Sequence, residues 1–365
     1  MDEPAPLHRA EVLGHAEAAR DALLRPPGPG PLDHALRTEA AVHAAESAGR
    51  PDLVARYRAL GSGTAGGPAP AGRSALREAV RDWTRSATLA PATVGRDGVD
   101  ALAAAGLDTA GVVSLAQLVA FVSYEVRVAA GRELLAGWTS GGQREAAARP
   151  IPAPPVAFTT APLVWHPWVQ AVDADRLSAA QRAVLDRHAT LSTDSPYYRT
   201  LLHDPVALDH RTHLYNALMY GRGGLARADR ELVTLVASRV NGCAYCAGVH
   251  ARKFARMVRD EQLTDQLLAH GSAALDADPR RQAVARFAER LAAPAPTADG
   301  ADLAAVRAAG LDGAELLDLV HCAALFGWAN RLMQTLGAPA PPGEPCPGGC
   351  CTGTSGPDAP RDATR

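Results

Sequence analysis

Cysteine is missing from the first 242 residues of this 365-residue chain, and its six thiols all lie between Cys243 and Cys351. Any thiol chemistry is therefore confined to the C-terminal third. Aromatic residues are scarce at 5%, while apolar residues reach 47% and alanine dominates them. That composition implies closely packed helices with enough material for a sizeable core. Charge of one sign is also lacking: 37 basic residues face 39 acidic ones, for a net charge of -2. Nucleic acid and anionic membrane surfaces are therefore not expected partners. No apolar run of about 18 residues is present, so no transmembrane helix is expected. The N-terminus has no basic stretch followed by an apolar one, which argues against a secretory signal. The cytoplasm is the expected location, where thiols are held reduced and a close cysteine pair points to redox or metal chemistry rather than a structural staple.

Period-two alternation is nearly absent, and helical spacing is widespread. Leu36 to Leu60 reads as one or two alanine-rich helices, and Ala110 to Leu135 as a long apolar one. Residues 174–190, 206–220, 228–240, 243–259, 279–292 and 314–336 read similarly. An all-α fold is expected. The Pro-rich stretch 149–156 cannot continue a helix and reads as a stiff linker. It divides a cysteine-free domain (1–148) from a cysteine-bearing one (157–338). A Pro/Gly-rich tail (339–365) is expected to be disordered.

The two halves carry an internal repeat. Ala104-Ala-Gly-Leu-Asp108 recurs as Ala308-Ala-Gly-Leu-Asp312, an offset of 204 (308 − 104). At that offset Ala120 falls on Ala324, Tyr124 on Trp328 and Arg127 on Arg331. Each copy of the turn follows a Pro-containing stretch and a short helix and precedes a long apolar helix. Two related helical domains in tandem are the expected arrangement.

The densest chemistry lies in Glu231-x11-Cys243-x2-Cys246-x3-His250. The thiolate is the reactive form of cysteine, so a working redox cysteine needs its anion stabilised. Asn241-Gly242 reads as a helix start, which places both thiols in a first turn where free N–H groups favour anions. On a helix His250 lies on the same face as Cys243 and Cys246, ready to accept a proton or pair with a thiolate. Glu231, on the preceding helix, would orient that imidazole if the two helices form an antiparallel hairpin. A second thiol at this spacing can trap an oxidised first one as a disulfide and prevent over-oxidation.

This block, set in Ala237-Ser-Arg-Val-Asn-Gly-Cys-Ala-Tyr-Cys-Ala-Gly-Val-His, resembles the AhpD-like alkylhydroperoxidase branch of the carboxymuconolactone decarboxylase family. The resemblance covers most of residues 157–337, including Ser195-Pro-Tyr-Tyr-Arg and Phe326-Gly-Trp-Ala-Asn-Arg-Leu-Met333. Residues 30–140 look like a second, thiol-free copy, best matched at Phe121 to Gly131. The resemblance implies an all-helical fold, homo-oligomers and reduction of hydroperoxides without a bound organic cofactor. It makes Cys246 the peroxide-attacking thiolate, Cys243 the resolving, partner-facing thiol, and His250 with Glu231 the proton relay. The expected partners are a hydroperoxide substrate and an external dithiol reductant, a protein or a small dithiol of the dihydrolipoamide type. Some relatives place a histidine between the cysteines, where this chain has Tyr245.

Other readings compete with this one. Zinc held by Cys243 and Cys246 would need two of Cys346, Cys350 and Cys351, whose spacing forms no knuckle. A thioredoxin reading lacks a βαβ pattern. A cysteine-independent lactone decarboxylase-type enzyme and a non-catalytic assembly or binding protein are the alternatives in function. Cys322 reads as a buried small hydrophobe, and Trp328, Asn330 and Arg331 as packing or helix-pinning residues.

Overall fold

Asp33, Asp204, Asp260, Asp278, Asp299 and Asp312 each open a helix by accepting a backbone N–H bond on the side chain. A cap of this kind contributes about 1 kcal/mol. The structure is a computed structural model that describes residues 10–28, 30–61, 74–139 and 156–344. Its first half comprises α1 (Ala10–Leu24), α2 (His34–Ser47), α3 (Pro51–Gly61), α4 (Ser74–Leu89), α5 (Arg96–Ala104) and α6 (Thr109–Thr139). The second half comprises α7 (Ala179–Arg187), α8 (Pro196–Leu201), α9 (Pro205–Tyr220), α10 (Arg227–Val240) and α11 (Ala244–Val258). It continues through α12 (Glu261–His270), α13 (Pro279–Ala292), α14 (Gly300–Ala308) and α15 (Gly313–Thr335).

The all-α expectation holds, and several helices fall within a residue or two of their expected limits. The sequence reading had not singled out α1, α4, α8 and α12. Two short antiparallel strands, β1 (Val164–Pro167) and β2 (Gly337–Ala340), pair with Trp165 opposite Pro339. The start of the expected tail is thus a strand. Proline is tolerated in such a two-stranded ribbon because alternate N–H groups face outward. Trp165 anchors the ribbon by donating to the Met333 carbonyl at 2.8 Å. Most of the Pro-rich segment, and the tail with Cys346, Cys350 and Cys351, lie outside the described residues.

Thr109–Gly137 is long and apolar enough to cross a bilayer, yet 89% of its most apolar window is buried inside the protein. Ser114, Gln117, Ser123, Glu125 and Arg127 interrupt its apolar residues and are buried too. The helix is the centre of the fold. It packs along α15 in the most extensive helix pair of the molecule, and one continuous apolar core runs through both halves.

The α6–α15 seam is reciprocal. Arg127 donates to the carbonyls of Ala292 and Ala293, both at 2.8 Å, and to Ser123 at 2.9 Å. Arg331 donates to the carbonyls of Thr88 at 2.5 Å and Gly327 at 3.0 Å. Each residue of the second set stands 204 positions from its counterpart (331 − 127, 292 − 88, 327 − 123). The aromatic pairs obey the same exchange. Tyr124 bonds His321 at 2.8 Å, and Trp328 bonds Gln117 at 3.0 Å. Contacts in which i meets j and j′ meets i′ define a two-fold interface between like units, here built within one chain. Gly327 makes room for it: a Cβ there would stand 2.9 Å from Arg127 Cδ.

Candidate active site: a buried dithiol beside a histidine–glutamate pair

The α10–α11 hairpin positions the four residues singled out in the sequence. Asn241 caps the C-terminus of α10, and Gly242 takes a left-handed φ of 73° that reverses the chain. Asn241-Gly242 therefore ends one helix, and Cys243 is the N-cap of the next. Cys246 sits in the first turn of α11 and His250 one turn later. Glu231, near the start of α10, is brought beside His250 by the antiparallel packing, so the hairpin contact expected from the sequence is present.

His250 Nδ1 and Glu231 Oε2 form a hydrogen bond between buried side chains. Arg227 adds an ion pair to the other carboxylate oxygen at 2.5 Å, from one turn earlier on α10. The Phe326 ring stands perpendicular to the imidazole at 4.6 Å between centroids. Burial works against charge on Glu231, but His250 and Arg227 outweigh it and hold the carboxyl below its usual range. Burial also pushes the His250 pKa down, against the pull of Glu231. A neutral imidazole beside an ionised carboxylate carries its proton on Nδ1, which leaves Nε2 as the basic nitrogen.

Both thiols are reduced and buried: Cys243 is 2% exposed and Cys246 is 7% exposed. A hydrogen bond with Cys243, then burial, pushes the Cys246 thiol well up, while Arg211 pulls it down. The helix-start argument led to the opposite expectation for this thiol. The N-terminal dipole is present, but a neighbouring thiol and the surrounding apolar side chains oppose it. A proton acceptor is therefore needed before Cys246 can become a thiolate.

Residues not singled out in the sequence complete the surroundings. Arg211 lies over the Tyr197 ring, 5.9 Å from its centroid. Tyr197, Tyr198 and Tyr245 have their hydroxyl pKa values raised by burial, and all three are close enough to sense charge on Cys246. Tyr197 and Tyr198 belong to the Ser195-Pro-Tyr-Tyr-Arg segment already noted; Arg211 carried no sequence signal. Ser238 bonds Asn330 at 3.1 Å, tying α10 to α15 behind the site. Cys322 is fully buried, and Trp328, Asn330 and Arg331 pack or pin as expected.

Fold and site together define an all-helical protein with a dithiol at a helix start and a histidine–carboxylate pair one turn away. Residues 205–290, which span α9 to α13, match the carboxymuconolactone decarboxylase family. Among solved structures, the chain is similar to an uncharacterized peroxidase-related protein from Silicibacter sp. TM1040. The identity is 21%, with 44% of this chain and 82% of that one covered, at a TM-score of 0.36. It is also similar to an uncharacterized peroxidase-related protein from Ralstonia eutropha JMP134, described as an alkylhydroperoxidase AhpD core. There the identity is 24%, with 52% and 92% covered, at a TM-score of 0.39. No curated protein matches the chain.

Proposed function

We propose that the protein is a thiol-dependent hydroperoxide reductase. The observation that carries this reading is the His250–Glu231 hydrogen bond one helical turn from Cys246. Nε2 of His250 removes the Cys246 proton, and Glu231 steadies the imidazolium that results. The thiolate attacks one peroxide oxygen, the O–O bond breaks, and the alcohol leaves with the proton returned from His250. Cys246 is then a sulfenic acid. Cys243 attacks its sulfur, releases water and closes a disulfide. An external dithiol reduces that disulfide by exchange and restores both thiols. Arg211 favours negative charge at Cys246 during attack.

Mass spectrometry of the Cys243–Cys246 peptide after one equivalent of peroxide tests this reading. A reducible disulfide is expected, with Cys246→Ser inactive. Full turnover by Cys246→Ser would sink the proposal and leave a cysteine-independent decarboxylase-type reaction as the better reading.

A further inference from the structure

The opposite face of α9 carries a second cluster of chemistry. Arg211 and Tyr215 lie on one side of this helix. Asp209 and His213, one turn apart, lie about 200° around from them. His188, the C-cap of α7, meets that second face. Its Nε2 stands 2.6 Å from Asp209 Oδ1, and His213 Nε2 stands 3.6 Å from the same oxygen. One ligand atom from each of the three residues lies within 4.8 Å of the other two. His188 is only 3% exposed. His15 of α1 stacks flat on His213, 4.6 Å between centroids.

We propose that His188, Asp209 and His213 form a binding site for a divalent transition metal of the zinc class. Two imidazoles and one carboxylate suit zinc, cobalt or nickel rather than magnesium or calcium, which take all-oxygen shells. Ligands about 2.0–2.2 Å from such an ion sit about 3.3–3.6 Å from one another, so the cluster needs a shift of about 1 Å at His188. Binding would replace the hydrogen bond between His188 and Asp209. Arg187 holds the second oxygen of Asp209, and this outer contact fixes the carboxylate with Oδ1 towards the histidines. The three ligands come from α7 and α9, so an occupied site would tie these two helices together, with His15 of α1 stacked against it.

The test uses the untagged full-length chain carrying Cys243→Ser, Cys246→Ser, Cys346→Ser, Cys350→Ser and Cys351→Ser, which removes the competing thiols of the dithiol and the tail. Cobalt(II) titration followed by visible absorption and calorimetry should give one equivalent bound, with d–d bands and no thiolate charge-transfer band. His213 is partly exposed, so His213→Ala should fold, verified by circular dichroism, and should weaken cobalt and zinc by at least about tenfold. Asp209→Asn should do the same. Equal affinity in His213→Ala, or less than half an equivalent bound by the parent, would overturn the assignment and leave His188–Asp209–Arg187 as a structural pin.

Discussion

The α2–α3 turn in the first half and the α10–α11 turn in the second have the same backbone and different chemistry. Asn241, Gly242 and Cys243 donate to the carbonyls of Ala237, Arg239 and Ser238; Ala48, Gly49 and Arg50 donate to those of Ala44, Glu46 and Ala45. The glycines match as well, with φ of 73° and 70°. The offset is 193 (243 − 50). It sets Arg50 against Cys243, Leu53 against Cys246, Tyr57 against His250 and Thr38 against Glu231. Where the second half has a thiol–imidazole–carboxylate set, the first has an Arg50 ion pair with Asp52 at its surface. Tyr57 there is buried and donates to Glu125 at 2.6 Å. The turn is thus a scaffold that holds either a dithiol with its histidine and glutamate or an arginine, leucine and tyrosine, and side chains alone decide which.

The comparison yields predictions of decreasing size. Cys246→Ser should reduce peroxide turnover by at least about 10³-fold, the loss expected of a missing nucleophile, while Arg50→Ser, at the position matching Cys243, should leave turnover unchanged; stopped-flow peroxide consumption reads both. Removing either reciprocal arginine orphans buried carbonyls and opens a cavity. Arg331→Ala and Arg127→Ala should each cost about 3 kcal/mol in chemical denaturation. The double variant should cost more than the sum, because each single substitution also relieves the repulsion between the two guanidinium groups and the double gains that relief only once.

Acid should break the same seam. Burial holds His321 down to about 4, against about 6.5 in the unfolded chain. As pH falls the unfolded state takes up the proton first. The stability is fully present above about pH 6.5 and is lost towards pH 4, by about 3 kcal/mol. His321→Gln would copy Gln117, its reciprocal residue, and should flatten that pH profile.

Glu231→Gln should slow turnover about 10²-fold with little loss of disulfide-forming capacity at high pH, read as a pH–rate profile. Tyr57→Phe, at the position matching His250, should cost only about 1 kcal/mol of stability and nothing in turnover.

The long helices were legible in the sequence because their apolar spacing and aspartate caps act locally. The Glu231–His250 contact was legible because a two-residue Asn-Gly reversal between two helices leaves little choice but a hairpin. The inert copy of the turn was not. The offset is 193 up to α11 and 204 from α13 onward, an excess of eleven residues (204 − 193) near α12, so a search at one offset misses it. Nor could spacing reveal that Cys246 would be so buried, since that depends on Tyr197, Tyr198 and Arg211 arriving from α8 and α9.

The reciprocal seam has a consequence for how this molecule can vary. In a dimer of identical chains a substitution lands twice, and both ends of a two-fold contact change together. Here each change lands once. Tyr124 can meet His321 while Trp328 meets Gln117, two unlike solutions at equivalent places. By the same freedom, one turn keeps its thiols while its twin carries arginine, leucine and tyrosine. Within one chain, a pseudo-symmetric contact is two separately adjustable ones.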